Sequence, residues 1–113
     1  MTNNKIKITF AVPRKLKNEL CERVIKDQYG LRGKSKWVTE AVENLLELKD
    51  FLRLISFNDE MHGFDQIETA VVEHSLKKKL DAAVIEIRKE FPALEGVRSR
   101  IMRTAILQRI LRS

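Results

Sequence analysis

Two triplets place a hydroxyl between two cations: Lys34-Ser35-Lys36 and Arg98-Ser99-Arg100. Each follows a turn holding a glycine and leads into apolar residues at helical spacing, so each falls at the start of a helix. A helix start offers unbonded N–H groups and the positive end of the helix dipole. With Lys, Arg and Ser side chains added, that is chemistry for holding an oxyanion such as a phosphate. A second set lies in Lys5-Ile6-Lys7-Ile8-Thr9-Phe10-Ala11-Val12, where Lys7, Thr9 and Ala11 alternate with apolar residues. Lysine donates hydrogen bonds and carries positive charge, threonine hydrogen-bonds or makes an apolar contact through its methyl group, and alanine offers apolar contact alone. Taken alone, Lys7 and Thr9 read first as the solvated face of an ordinary strand, and each triplet also fits a serine cap with incidental charges. The recurrence of the cation-Ser-cation triplet favours the chemical reading.

Other candidates are weaker. Gly33-Lys34-Ser35 has the ending of a phosphate-binding loop, but that motif needs glycine at position 28, where Gln28 stands. His62 and His74 have no cysteine or second histidine at ligand spacing, so no metal or cofactor is expected. Glu86, Glu90 and Glu95 surround a helix end without forming an acid–base pair, and an enzyme is not expected. Lys77-Lys78-Lys79 reads as a solvated helix face, Trp37 as core, and the one cysteine, Cys21, as a small buried thiol on a helix.

The elements that must position these residues occur twice. Residues 5–12 alternate with period two, placing Ile6, Ile8, Phe10 and Val12 on one face of a strand. Pro13 ends the strand and can open a helix. Leu16, Leu20, Val24 and Ile25 predict an amphipathic helix over 14–27, and Gly30 and Gly33 break it. Ser35 is an expected N-cap for a helix burying Trp37, Val38, Ala41, Val42, Leu45, Leu46 and Leu48, with a continuation through Phe51, Leu52 and Ile55. An offset of 60 lays Leu16, Lys17, Leu20, Val24 and Ile25 on Leu76, Lys77, Leu80, Val84 and Ile85. An offset of 64 lays Ser35, Ala41, Val42 and Leu46 on Ser99, Ala105, Ile106 and Ile110. The four extra residues are expected in the turn around Pro92 to Val97.

The second strand admits two registers. In one, Glu68, Ala70 and Val72 face inward and Ile67, Thr69 and Val71 face out. A one-residue slip exchanges the two sets. Each copy, at about 45 residues, is too small to bury a sufficient core alone, so each is expected to complete the other.

The order strand, helix, glycine turn and second helix resembles the ribbon-helix-helix DNA-binding family of the Arc and MetJ type. The resemblance rests on Ile8-Thr9-Phe10-Ala11-Val12-Pro13 with Leu16 and Leu20, and on Gly33-Lys34-Ser35-Lys36 leading into Val38, Ala41 and Leu45. It covers residues 5–48 well and 66–112 more loosely. It implies a mainly α fold with a short two-stranded antiparallel ribbon, here a tandem pseudo-dimer of order β-α-α-linker-β-α-α. The boundaries are 5–55 for the first repeat, 56–64 for the linker and 65–113 for the second, the repeats forming one intertwined domain. It also implies that the ribbon enters the DNA major groove. Base contacts then fall to Lys7, Thr9, Ala11, Ile67, Thr69 and Val71, and phosphate contacts to Lys5, Lys34, Ser35, Lys36, Arg98, Ser99 and Arg100. The strands have diverged, so an asymmetric site is expected, with the first strand supplying most base contacts.

Charge agrees with a polyanionic partner. The 113 residues carry 22 Lys and Arg against 16 Asp and Glu, a net charge of +6. Residues 1–48 hold ten basic and six acidic side chains, 49–63 two and three, and 64–113 ten and seven, so both copies are basic and the joint is not. No apolar run approaches a membrane span or a signal segment, and a cytoplasmic protein is expected, without membrane or small-molecule partners.

Tandem versions of the family resemble accessory DNA-binding proteins of conjugative plasmids. The expected role is therefore that of a relaxosome accessory protein, with a relaxase or further copies of the chain as additional partners. A transcriptional repressor or copy-control regulator of the same fold is the alternative. An antitoxin or protein adaptor is a more distant one.

Overall fold

The alternating segment forms strand β1 (Lys5–Val12), and its counterpart forms β2 (Gln66–Glu73). The two pair antiparallel, with Ile6 opposite Val72, Ile8 opposite Ala70, Thr9 opposite Thr69 and Phe10 opposite Glu68. A two-stranded ribbon is marginal alone and needs a packed face. Helices supply it: α1 (Arg14–Lys26), α2 (Lys34–Glu47), α3 (Phe51–Phe57), α4 (His74–Glu90) and α5 (Val97–Arg112). The computed structural model describes residues 5–30, 32–57 and 66–112. Most of the expected linker, 58–64, therefore lies outside the described residues, while Ser56 and Phe57 close α3.

The core joins the inward row of the ribbon to the apolar stripes of the helices. Ile8, Phe10, Val12, Ala70 and Val72 are buried with Trp37, Val38, Leu45, Ile101, Met102 and Ile106. Burying side chains of this size contributes about 1.5–3 kcal/mol each. The packing crosses between the two halves of the chain: α2 lies on β2, α5 lies on β1, and α2 and α5 pack on each other. Neither half encloses its strand with its own second helix alone. Among the described residues, no helix is long and apolar enough to cross a membrane.

Several expectations are corrected. The helix after Ser35 does not run on through Ile55: Leu48 is extended (ψ 136°), and α3 restarts at Phe51. The break lets α3 swing against α5 and bury Ile55 completely. Ser35 is not the N-cap but the second residue of α2, its hydroxyl accepting from the Val71 N–H instead; Gly33 stands at the cap, where a Cβ would meet the Tyr29 carbonyl oxygen at 2.1 Å. The four-residue insertion is not in the turn but lengthens the helix, α4 having 17 residues against 13 in α1. Ile25 and Ile85, expected inward, are 61% and 58% exposed. The stripe on α4 passes instead through Ala83 and Ile87, both buried. Cys21, expected buried, is exposed, because the inward stripe of α1 runs through Leu16, Leu20 and Val24.

Candidate nucleic-acid interface

The register settles the face of the second strand. Glu68, Ala70 and Val72 point inward, and Ile67, Thr69 and Val71 point outward. The outer face of the ribbon therefore holds four cross-strand pairs: Lys5 with Glu73 at one end, then Lys7 with Val71, Thr9 with Thr69, and Ala11 with Ile67. Lys7, Thr9, Ile67 and Val71 are exposed, while Ala11 and Thr69 are half-buried. All six residues expected to meet bases thus share one surface. They do so because side chains alternate along each strand and the inner row is held by the core.

The edges of the ribbon are tied to the helices rather than left open. The Lys17 Nζ donates to the Ile67 carbonyl oxygen at 3.1 Å. The Arg103 Nη1 donates to the Ala11 carbonyl oxygen at 2.9 Å, carrying a guanidinium from α5 to β1. Burial and the nearby Arg100 charge both lower the proton affinity of Arg103, which remains a cation all the same.

The start of α2 is also fastened to the ribbon. The Val71 N–H donates to the Ser35 Oγ at 2.9 Å. This leaves the hydroxyl proton of Ser35 for an outside acceptor. Lys34, beside it, is drawn inward by Glu68, whose carboxylate is only 4% exposed; the Lys34 Nζ donates to Glu68 Oε1. The same oxygen accepts the Thr69 N–H at 3.2 Å. Oε2 of Glu68 has no partner in the described structure. A carboxylate this buried requires a cation, so Lys34 is committed to the fold. Lys36, one turn-edge further, is exposed and lies 5.9 Å from the Tyr29 ring centroid.

The start of α5 differs. Arg98 is exposed and Ser99 half-buried, and both line a shallow groove with Arg88, Gly96 and Asp81, whose carboxylate pairs with Lys77. Position 8, the counterpart of Glu68, is Ile8, so no inward acid competes for Arg98. Arg100 donates from Nη1 to the Ile55 carbonyl oxygen at 3.2 Å and so ties α5 to α3. Lys5 is exposed at the end of β1, opposite Glu73. Among the seven residues expected to meet phosphates, Lys5, Lys36 and Arg98 stand in solvent, Ser35 and Ser99 line the two helix starts, and Lys34 and Arg100 make internal contacts.

One cluster had no sequence signal. Arg109 lies over the rings of Trp37 and Tyr29, at 4.5 and 5.2 Å, and donates to the Trp37 carbonyl oxygen, to Glu40 Oε1 and to Tyr29 Oη. Tyr29 in turn donates to Glu40, and the Trp37 indole N–H donates to Asp27. The Tyr29 hydroxyl, more than Arg109 and Lys36, holds the Glu40 carboxyl below its ordinary range. This network braces the α1–α2 turn against α5. Its members are spread over 80 residues, which no local pattern links.

No family model, curated protein or solved structure matches this chain.

Proposed function

We propose that the chain is a sequence-specific double-stranded DNA-binding protein of the ribbon-helix-helix type, its two repeats forming a pseudo-dimer within one molecule. The ribbon enters the major groove, and the starts of α2 and α5 rest on the backbone on either side. The observation that carries this reading is the outer ribbon face. Six side chains able to meet base edges share it, four of them flanking the central Thr9–Thr69 pair, with exposed cations at Lys36 and Arg98 beside the two helix starts. A two-stranded ribbon is narrow enough for the major groove. The crossing of α2 onto β2 and α5 onto β1 supports the pseudo-dimer. Within this reading the role is accessory to a relaxase in plasmid transfer, with promoter repression or copy control as the alternative.

The test is a selection from a random-sequence duplex pool, followed by titration of the enriched duplex and a scrambled duplex of equal composition. The reading expects a preference of at least about 1,000-fold, with both affinities falling as salt rises. Equal affinity for the two duplexes would remove sequence-specific recognition. The position of the enriched sequence in its source DNA, beside a nick site or over a promoter, separates the two roles.

A further inference from the structure

Two aliphatic side chains on the outer ribbon face are left uncovered by every helix. Ile67 is 57% exposed and Val71 39% exposed. Both belong to β2, where they stand opposite Ala11 and Lys7. Under the offset of 60 that relates the repeats, Lys7 corresponds to Ile67 and Ala11 to Val71. Around the Thr9–Thr69 pair the ribbon therefore has two unlike ends, one made of Lys7 and Val71 with the Lys5–Glu73 pair beyond them, and the other of Ala11 and Ile67. The exposed cations Lys36 and Arg98 at the helix starts make a polyanion, rather than an apolar protein surface, the complementary occupant.

We propose that Ile67 and Val71 read thymine methyl groups, which makes the bound DNA site directional: guanine beside thymine at the Lys7–Val71 end, and thymine at the Ala11–Ile67 end. This rests on the DNA-binding reading above. In the major groove thymine presents a C5 methyl, whereas guanine presents only acceptors there. An aliphatic side chain pressed on guanine O6 or N7 strips its water and returns no hydrogen bond. The same side chain on a methyl buries apolar surface on both partners. Ile67 and Val71 thus both attract thymine and reject guanine, while Lys7 favours guanine, with its two acceptors. The second strand then contributes base recognition through burial, and a perfect palindrome cannot satisfy both ends.

The enriched duplex is made with thymine, and again with uracil at one thymine at a time, which deletes only a methyl. Wild-type protein should lose about fourfold in affinity for each contacted methyl. Ile67→Ala should abolish that loss at one end of the site and Val71→Ala at the other. Both positions are exposed, so the unfolding midpoint should not move. Equal binding of the thymine and uracil duplexes, with specific binding intact, would overturn the inference and leave DNA recognition standing. No preference for any duplex would overturn the DNA-binding reading and this inference with it. Self-association without DNA that Ile67→Ala abolishes would also overturn it, by assigning the face to a second copy.

Discussion

Thr9 lies directly opposite Thr69 in the ribbon. The two are separated by 60 residues, the same offset that lays Leu16 and Leu20 on Leu76 and Leu80. Counterpart residues can face each other in an antiparallel pair only where a local two-fold axis passes between them, as at the centre of a symmetric dimer. The pair would therefore sit over the centre of a bound DNA site. Thr9→Ala should lower affinity for the preferred duplex by about 1–3 kcal/mol and leave affinity for scrambled DNA unchanged. Lys7→Ala should do the same and relax the choice of base at one end only. Fluorescence anisotropy on the two duplexes separates these effects from a general loss of binding.

The Lys34–Glu68 pair predicts that the two helix starts behave differently. Arg98→Ala should weaken binding to all DNA and reduce the salt slope by about 0.9. Lys34→Ala should instead reduce stability, by about 1–3 kcal/mol, because it strands the Glu68 carboxylate in the core. Glu68→Gln should release Lys34 to solvent and steepen the salt slope. Chemical denaturation alongside salt-dependent titration would distinguish the two assignments. A Lys34→Ala variant as stable as wild type, with a flatter salt slope, would make Lys34 a phosphate anchor.

Glu40 supplies a pH dependence. Its folded-state pKa lies below its ordinary value of 4.5, owing first to the Tyr29 hydroxyl and then to Arg109. A carboxyl so depressed stabilises the fold fully above its unfolded pKa. That contribution is lost as pH falls through the lower folded value. The unfolding midpoint of wild type should therefore drop more steeply below pH 4.5 than that of Glu40→Gln. Parallel curves for the two proteins would detach Glu40 from acid stability.

Arg109→Ala removes two ring contacts and three hydrogen bonds that join α5 to the α1–α2 turn. A loss of about 2–3 kcal/mol is expected in denaturant unfolding. Cys21, being exposed, should react with a thiol reagent in native buffer as fast as in denaturant. Protection of Cys21 in the native state would place α1 against something other than water.

Much of this was legible in the sequence because it was local. The β1 alternation, the apolar stripe through Leu16 and Leu20, and the turn at Gly33 each follow from short-range pattern. The frame of β2 was not, because Glu68 at an inward position contradicts its own polarity. Lys34, brought from 34 residues away by the packing of α2 on β2, supplies the cation that makes that frame tenable. The exposure of Ile25 and Ile85 and the break at Leu48 were also hidden, since both depend on where neighbouring helices lie. At the candidate site, the strand residues were readable from alternation. The division of the triplets into solvent-facing and inward cations was not, because it turns on Glu68 and Ile55 from distant elements.

Methylation interference with dimethyl sulfate separates major-groove reading by the ribbon from any other mode of binding. The reagent modifies guanine N7 in the major groove and adenine N3 in the minor groove. N7 methylation at the guanine facing Lys7 should block binding, and adenine N3 methylation at the neighbouring A·T pairs should not. Interference confined to the minor groove, or none on either side, would contradict major-groove reading.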